Sequence, residues 1–173
     1  TPGDLGLWED GQIAGHARLA AAIAHAGAVP AIQIGHAGRK ASRLPAWHEG
    51  PADPGWEVVS ASELAAGHFA APRALTEAEV AAIPGLFAAS ARRAVAAGYR
   101  LIEIHAAHGY LLHQFLSPIA NRRNDRWGGD FDGRARLTLE AVQEVRAAIP
   151  AEIPLSLRVS HTDWIEGGWT TAD

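Results

Sequence analysis

The stretch Leu101-Ile102-Glu103-Ile104-His105-Ala106-Ala107-His108-Gly109-Tyr110 runs from an apolar segment straight into two imidazoles and a phenol. Two histidines three residues apart can hydrogen-bond one carbonyl oxygen, and a neighbouring tyrosine can deliver a proton. The pair could equally be structural, satisfied in a core or a turn. It could also ligate a metal, together with His36 or His113. No Asp or Glu lies between 105 and 113 to complete or orient such a metal site, and Glu103 is at best an outer partner. Gln33 interrupts another apolar run, Val29 to Ile34. Its amide either finds backbone partners in the core or faces a ligand. Arg158, between Leu157 and Val159, must be ion-paired or must face an anionic ligand or cofactor.

The surrounding chain shows how these groups would be positioned. Asp10 can cap a helix in which Ile13, Ala17, Ala20 and Ala24 recur at helical spacing, with Gly27 at its end. Val29 to Ile34 then reads as a buried strand ending in the polar turn Gly35-His36-Ala37-Gly38-Arg39-Lys40. Residues 41–75, with Pro45, Pro51, Pro54 and Pro72, are too long for a plain connection. Such a segment reads as a lid or as holding a small hairpin. Thr76 and Glu79 form a capping box for a helix to about Ala97, with a kink or break expected at Pro84-Gly85. A strand over Arg100 to His105 follows, then a short helix over Leu111 to Leu116. Asp130 or Asp132 caps another helix, stopped by Pro150, and Pro154 to Ser160 is a third strand. The Trp residues read as surface packing, and the run Arg122-Arg123-Asn124-Asp125-Arg126 as a solvated loop.

Helices alternating with strands predict a parallel sheet with helices outside it. Ligands of such sheets bind at the C-terminal strand ends. Gln33 and His36, His105 and His108, and Arg158 and Ser160 all lie towards those ends. No glycine-rich dinucleotide fingerprint and no phosphate-cradling loop ending in Lys-Ser/Thr follows any strand, which favours a barrel over a doubly wound nucleotide fold.

At 173 residues, 48% hydrophobic and 20% charged, the chain is long enough for one domain with a core. A net charge of −4 with mixed signs argues against nucleic acid or an anionic membrane as partner. With no Cys there is neither a disulfide framework nor a thiolate metal site. No apolar run approaches the roughly 20 residues that span a bilayer. No signal peptide is visible, so the expected location is cytoplasmic. The absence of Met is expected of an internal piece of a longer protein.

Three long motifs carry a resemblance to a known family. They are Gln33-Ile34-Gly35-His36-Ala37-Gly38-Arg39-Lys40, His105-Ala106-Ala107-His108-Gly109-Tyr110-Leu111, and Ser117-Pro118-Ile119-Ala120-Asn121-Arg122-Arg123-Asn124-Asp125-Arg126-Trp127-Gly128-Gly129. Together they resemble the Old Yellow Enzyme family of FMN-dependent ene-reductases, in its bacterial, thermophilic-type branch. The resemblance implies a (β/α)₈ TIM barrel, of which this chain would supply strands three to five. It implies non-covalently bound FMN at the C-terminal mouth, with Gln33 on the polar edge of the flavin ring. Arg158 would lie near N1 and the C2 carbonyl, favouring the anionic reduced flavin. His105 and His108 would hold a substrate carbonyl or nitro oxygen, and Tyr110 would protonate the α-carbon. NAD(P)H would reduce the flavin first, giving ping-pong reduction of the C=C bond of α,β-unsaturated compounds. Residues 41–75 would lie over the mouth, and the full-length protein would be a homo-oligomer. The chain departs from the family pattern at Asp130 and Gly133, which bear on the order of the loop rather than on the reaction.

Two alternatives come from other classes. One is a metal-dependent barrel hydrolase using His36, His105 and His108. The other is a truncated fragment without a complete pocket, because three strands cannot close an eight-stranded barrel and leave open edges.

Overall fold

The computed structural model describes residues 3–45, 47, 56–67 and 70–173. Pro51 and Pro54 of the long proline-bearing segment lie outside the described residues. A three-residue 3₁₀ turn at Asp10–Gln12 leads into helix α1 (Ile13–His25), which ends as Gly27 turns left-handed at φ 82°. Strand β1 is Ala31–Ile34. Two two-residue strands, β2 (Val59–Ser60) and β3 (Arg73–Ala74), fall within the long segment. Helix α2 (Glu77–Ala96) precedes strand β4 (Leu101–Ala106) and the short helix α3 (Leu111–Leu116). Helix α4 (Phe131–Ala148) and strand β5 (Leu155–Val159) complete the order.

β1, β4 and β5 form one parallel sheet in the order β1-β4-β5, as the alternation of helices and strands predicts. Parallel neighbours need long crossovers, and α2 and α4 supply them. The side chains of β4 sort by alternation. Ile102, Ile104 and Ala106 are fully buried in the core shared with the helices. Glu103 and His105 point to the opposite face. α2 and α4 pack against each other on the helix side through Val80, Ile83, Phe87, Ala91, Leu137, Ala141 and Val145. Each fully buried Ile contributes about 1.5–3 kcal/mol.

Four expectations are corrected. α2 is one uninterrupted helix, so there is no break at Pro84-Gly85. Pro84 forgoes one helical hydrogen bond, but it is buried beside Ile83 in the core side of the helix, where packing holds the axis together. β2 and β3 pair in parallel, so the small sheet of the long segment is not a hairpin. The run 122–126 is only partly a solvated loop: Arg122, Asn124 and Arg126 are exposed, but the loop is held from within. Asn121 is buried, donates to the carbonyls of Phe115 (2.8 Å) and Trp127 (2.7 Å), and accepts from the Arg123 amide (3.0 Å). Arg123 donates to the carbonyls of Ala61 (3.1 Å) and Leu75 (2.6 Å) while paired with Asp125 at 2.5 Å. Trp127, read as surface packing, is only 2% exposed, with Nε1 donating to Glu140 at 3.0 Å and Arg126 over its ring.

The two departures from the family pattern have roles here. The Asp130 side chain caps α4 by accepting from the Gly133 amide at 2.9 Å. A Cβ at Gly133 would meet the Gly128 carbonyl at 2.0 Å, so this packing needs glycine.

Asn121→Ala would leave two buried carbonyls and one part-buried amide without this partner. Unfolding free energy from urea titration of the full-length protein should fall by about 2–4 kcal/mol. A loss below about 0.5 kcal/mol, the range of neutral surface changes, would show the loop to be solvent-supported after all.

Candidate active site

The site is built on the face of the sheet turned away from the helices. Register places Gln33, Glu103 and Ser156 in one row across the three strands. His105 and Arg158 are partners in the next row, two residues nearer the C-terminal ends, beside Gly35. Residues two apart on a strand share a face, so both rows look the same way. A Cβ at Gly35 would stand 3.1 Å from the His105 Cβ, so glycine keeps the space next to that ring open.

Glu103 ties the lower row together. Gln33 Nε2 donates to Glu103 Oε1 at 2.6 Å, and Ser156 Oγ lies 3.4 Å from Glu103 Oε2. Gln33 is exposed, so it is not an amide enclosed in the core and satisfied by backbone. Its amide nitrogen is held by Glu103 while its oxygen is left for another partner. Arg158 is also exposed, and among the described residues its side chain makes no ion pair or hydrogen bond. The structural ion pair weighed for it is therefore absent among those residues. Its charge instead bears on His105, helping to lower that imidazole's pKa.

His105 is only 8% exposed. Burial is the main reason its pKa lies below the ordinary histidine value, with the neighbouring His108 and Arg158 adding to the effect and Glu103 opposing it. The ring is thus neutral at pH 7. Its Nδ1 takes a long hydrogen bond, 3.4 Å, from the Ala107 amide, which leaves the ring proton on Nε2. The rings of His108 and Tyr110 meet His105 edge-on, with centroids 5.1 and 5.0 Å away. Three groups able to donate a proton or a hydrogen bond therefore stand together at the end of β4.

The turn between β4 and α3 sets their spacing. His108 and Gly109 are both left-handed, at φ 59° and 69°. Glycine adopts this conformation without cost, and histidine does so only when its surroundings hold it there. The His108 amide donates to Ser160 Oγ at 2.9 Å, and its carbonyl accepts from Lys40 Nζ at 2.6 Å. The Gly109 amide donates to His113 Nδ1 at 2.7 Å, and its carbonyl accepts from Gln114 Nε2 at 2.8 Å. Lys40 also lies 5.5 Å from the centre of the Tyr110 ring. Burial lowers the Lys40 pKa, and Arg39 lowers it further.

The structure brings Gln33, His105, His108, Tyr110 and Arg158 to one face and one end of the sheet. His36 is turned to another use: its Nδ1 accepts from the Gly38 amide at 3.0 Å, and burial lowers its pKa. Among the described residues no three His, Cys, Asp or Glu side chains stand together as potential metal ligands, so His36, His105 and His108 do not converge on one point. Sequence reasoning passed over Lys40, Gln114 and Asp163. Gln114 left a signal as a polar side chain within the otherwise apolar Leu111-Leu112-His113-Gln114-Phe115-Leu116. Lys40 and Asp163 left none, because their partners lie 68 and 50 residues away respectively. No helix among the described residues is long and apolar enough to cross a membrane.

A model of the NADH:flavin oxidoreductase / NADH oxidase family matches residues 1–173. An NADH:flavin oxidoreductase of Gibberella zeae is 45% identical over 96% of this chain and 42% of its own length. An NADPH dehydrogenase of Halalkalibacterium halodurans is 37% identical over all of this chain and 47% of its own length. The chain thus spans less than half the length of these curated relatives. Among solved structures, a 2-naphthoyl-CoA reductase in complex with 2-naphthoyl-CoA superposes with a TM-score of 0.86 at 31% identity, covering 98% of this chain and 27% of the other. Morphinone reductase in complex with tetrahydroNAD superposes at 0.81 and 30% identity, covering 95% of this chain and 48% of the other.

Arg158→Gln removes a cation that disfavours protonation of His105. The His105 titration midpoint, followed by NMR, should start below the ordinary histidine value and move up in the variant. An unmoved midpoint would show that the guanidinium does not face that ring.

Proposed function

This chain belongs to the NADH:flavin oxidoreductase / NADH oxidase family, and from that premise we propose that it forms part of an FMN-dependent, NAD(P)H-driven reductase of C=C bonds in α,β-unsaturated carbonyl or nitro compounds. The fold is a (β/α)₈ barrel, of which β1, β4 and β5 are three consecutive strands. Membership agrees with the Old Yellow Enzyme resemblance of the three motifs. The observation that carries the reading is the meeting of His105, His108 and Tyr110 at the C-terminal end of β4, with Arg158 as the register partner of His105.

The donor set fits a flavin ring. An exposed guanidinium with no partner among the described residues suits the electron-rich pyrimidine edge of such a ring. Gln33, two strands away on β1 and one row lower on the same face, offers its uncommitted amide oxygen to a ring N–H. Glycine at position 35 leaves the space beside the His105 ring open. Bound there, FMN would take a hydride from NAD(P)H and pass one to the substrate β-carbon.

The chain's own residues supply the remaining chemistry. His105, neutral and protonated at Nε2, donates a hydrogen bond to the substrate oxygen, with His108 beside it as a second donor. Two donors on one oxygen draw electron density from the conjugated system and make the β-carbon electrophilic. Tyr110, on the same turn, gives its phenolic proton to the α-carbon. The described part of residues 41–75 is anchored beside this end of the sheet, by Ser60 Oγ to Gln114 at 2.8 Å and by the Arg122 amide to Ser62 Oγ at 2.8 Å. That placement suits a cover over the mouth.

In the full-length protein, Arg158→Ala should weaken flavin binding about 10-fold or more, as loss of a charge-assisted contact does. Unchanged flavin occupancy and unchanged rate of flavin reduction would sink the cofactor role. Replacing both His105 and His108 by Ala should cut enone turnover about 100-fold or more and abolish binding of phenolic ligands. Turnover at the parent rate would remove the histidines from the mechanism.

A further inference from the structure

Against the 107–110 turn lies a buried pair outside the chemistry described above. His113 on α3 and Asp163 after β5 have side chains only 6% and 9% exposed, with His113 Nε2 3.1 Å from Asp163 Oδ1. The contact is close and polar, though its N–H is not aligned as a hydrogen bond. The other carboxylate oxygen of Asp163 accepts from Ser117 Oγ at 2.6 Å and from the Trp169 amide at 2.8 Å, which prevents the group from turning away.

The remaining ring nitrogen of His113 is what matters to the turn. Nδ1 accepts the Gly109 N–H at 2.7 Å, so it carries no proton. The ring is neutral and its single proton is on Nε2, the tautomer that a carboxylate at that position selects. A second proton would set two N–H groups against each other and break the bond to Gly109. Gly109 sits between His108 and Tyr110, and its left-handed backbone sets the angle between them.

We propose that His113, held in one tautomer by Asp163, is a positioning residue that locks the 107–110 turn and so fixes His108 and Tyr110 relative to His105. The activity arms of its test rest on the reductase reading above, and the backbone arms do not. The charged and titratable groups around the pair come from four places: Asp163 from the segment after β5, Lys40 and Arg39 from the turn after β1, His108 from the turn itself, and His105 from the end of β4. Burial chiefly keeps His113 neutral, Lys40 and His108 assist, and Asp163 opposes, with the net shift downward from the ordinary histidine value. The lock therefore holds at and above neutral pH and opens as pH falls through the lowered midpoint.

The test uses the full-length, flavin-loaded protein and three variants. His113→Gln keeps an acceptor for Gly109 and a donor for Asp163. It should stay within about 3-fold of the parent in kcat/KM, since the hydrogen bond to Gly109 and the polar contact with Asp163 can both be remade. His113→Leu removes both and should lose about 100-fold in enone turnover, the scale of a misplaced catalytic group. Flavin occupancy and absorption spectrum should be unchanged in it. Two readouts are independent of activity. Histidine ¹⁵N NMR should show the parent His113 protonated at Nε2 only. Gly109 amide exchange should quicken about 10-fold in His113→Leu, the worth of one hydrogen bond. Should His113→Leu not fold, Asp163→Asn gives the second arm: without the carboxylate the proton is no longer held on Nε2, and Gly109 protection should fall. In the parent, Gly109 protection should be lost as pH falls through the His113 midpoint, and in His113→Gln it should not. The proposal is overturned if Gly109 protection survives in the Leu and Asn variants, or if His113→Gln falls as far as His113→Leu, which would make His113 a packing residue. A parent that binds no flavin would defeat the reductase reading, and the tautomer and exchange data would still judge His113.

Discussion

At His108 and Gly109 the backbone turns left-handed twice in succession, and the functional reading depends on that turn being held. A β-strand that continued would send His108 to the opposite face from His105, and an immediate helix would carry Tyr110 around its axis. The reversal instead brings both rings back against His105 within about 5 Å. Left-handed backbone at a non-glycine residue persists only when the surroundings over-determine it. Here Ser160, Lys40, His113 and Gln114 each satisfy one polar group of two residues. The four come from β1's turn, from α3 and from the end of β5, so the turn is a product of the assembled sheet.

The two faces of that sheet divide the labour. Towards the helices β4 presents Ile102, Ile104 and Ala106, all fully buried, and these hold the strand rigid. Towards the other side it presents Glu103 and His105. On β5 the helix-side residues Leu157 and Val159 remain 39% and 49% exposed, because no described helix follows that strand. A barrel covers that face with the next helix. The polar face works as an electrostatic surface: the carboxylate of Glu103 is taken up by Gln33 and Ser156, so the cation of Arg158 is not neutralised by it and acts on the mouth.

The loop after α3 extends the same principle outward. Asn121, Arg123 and Trp127 tie it to the carbonyls of Ala61 and Leu75 and to Glu140, and so link the long segment, α3 and α4. Its polar residues fill backbone hydrogen-bonding needs that a buried irregular segment cannot meet by itself. A run rich in arginine reads as solvated because composition alone carries no sign of which carbonyls lie within reach.

Much of the architecture was legible from local pattern. Apolar runs of strand length at Ile32, Ile104 and Leu157, separated by helical periodicity with caps at Thr76 and Asp130, dictate parallel strands and place Gln33, His105 and Arg158 near their C-terminal ends. These signals are local in sequence, because capping and periodicity act over a few residues. The pairing of Gln33 with Glu103, the parallel rather than hairpin pairing of β2 and β3, and the partnership of Lys40 with His108 and of Asp163 with His113 were decided only by the tertiary fold. Each joins residues far apart in the chain, and the hydrogen bonds and charges involved depend on distance in space, which spacing along the chain does not encode.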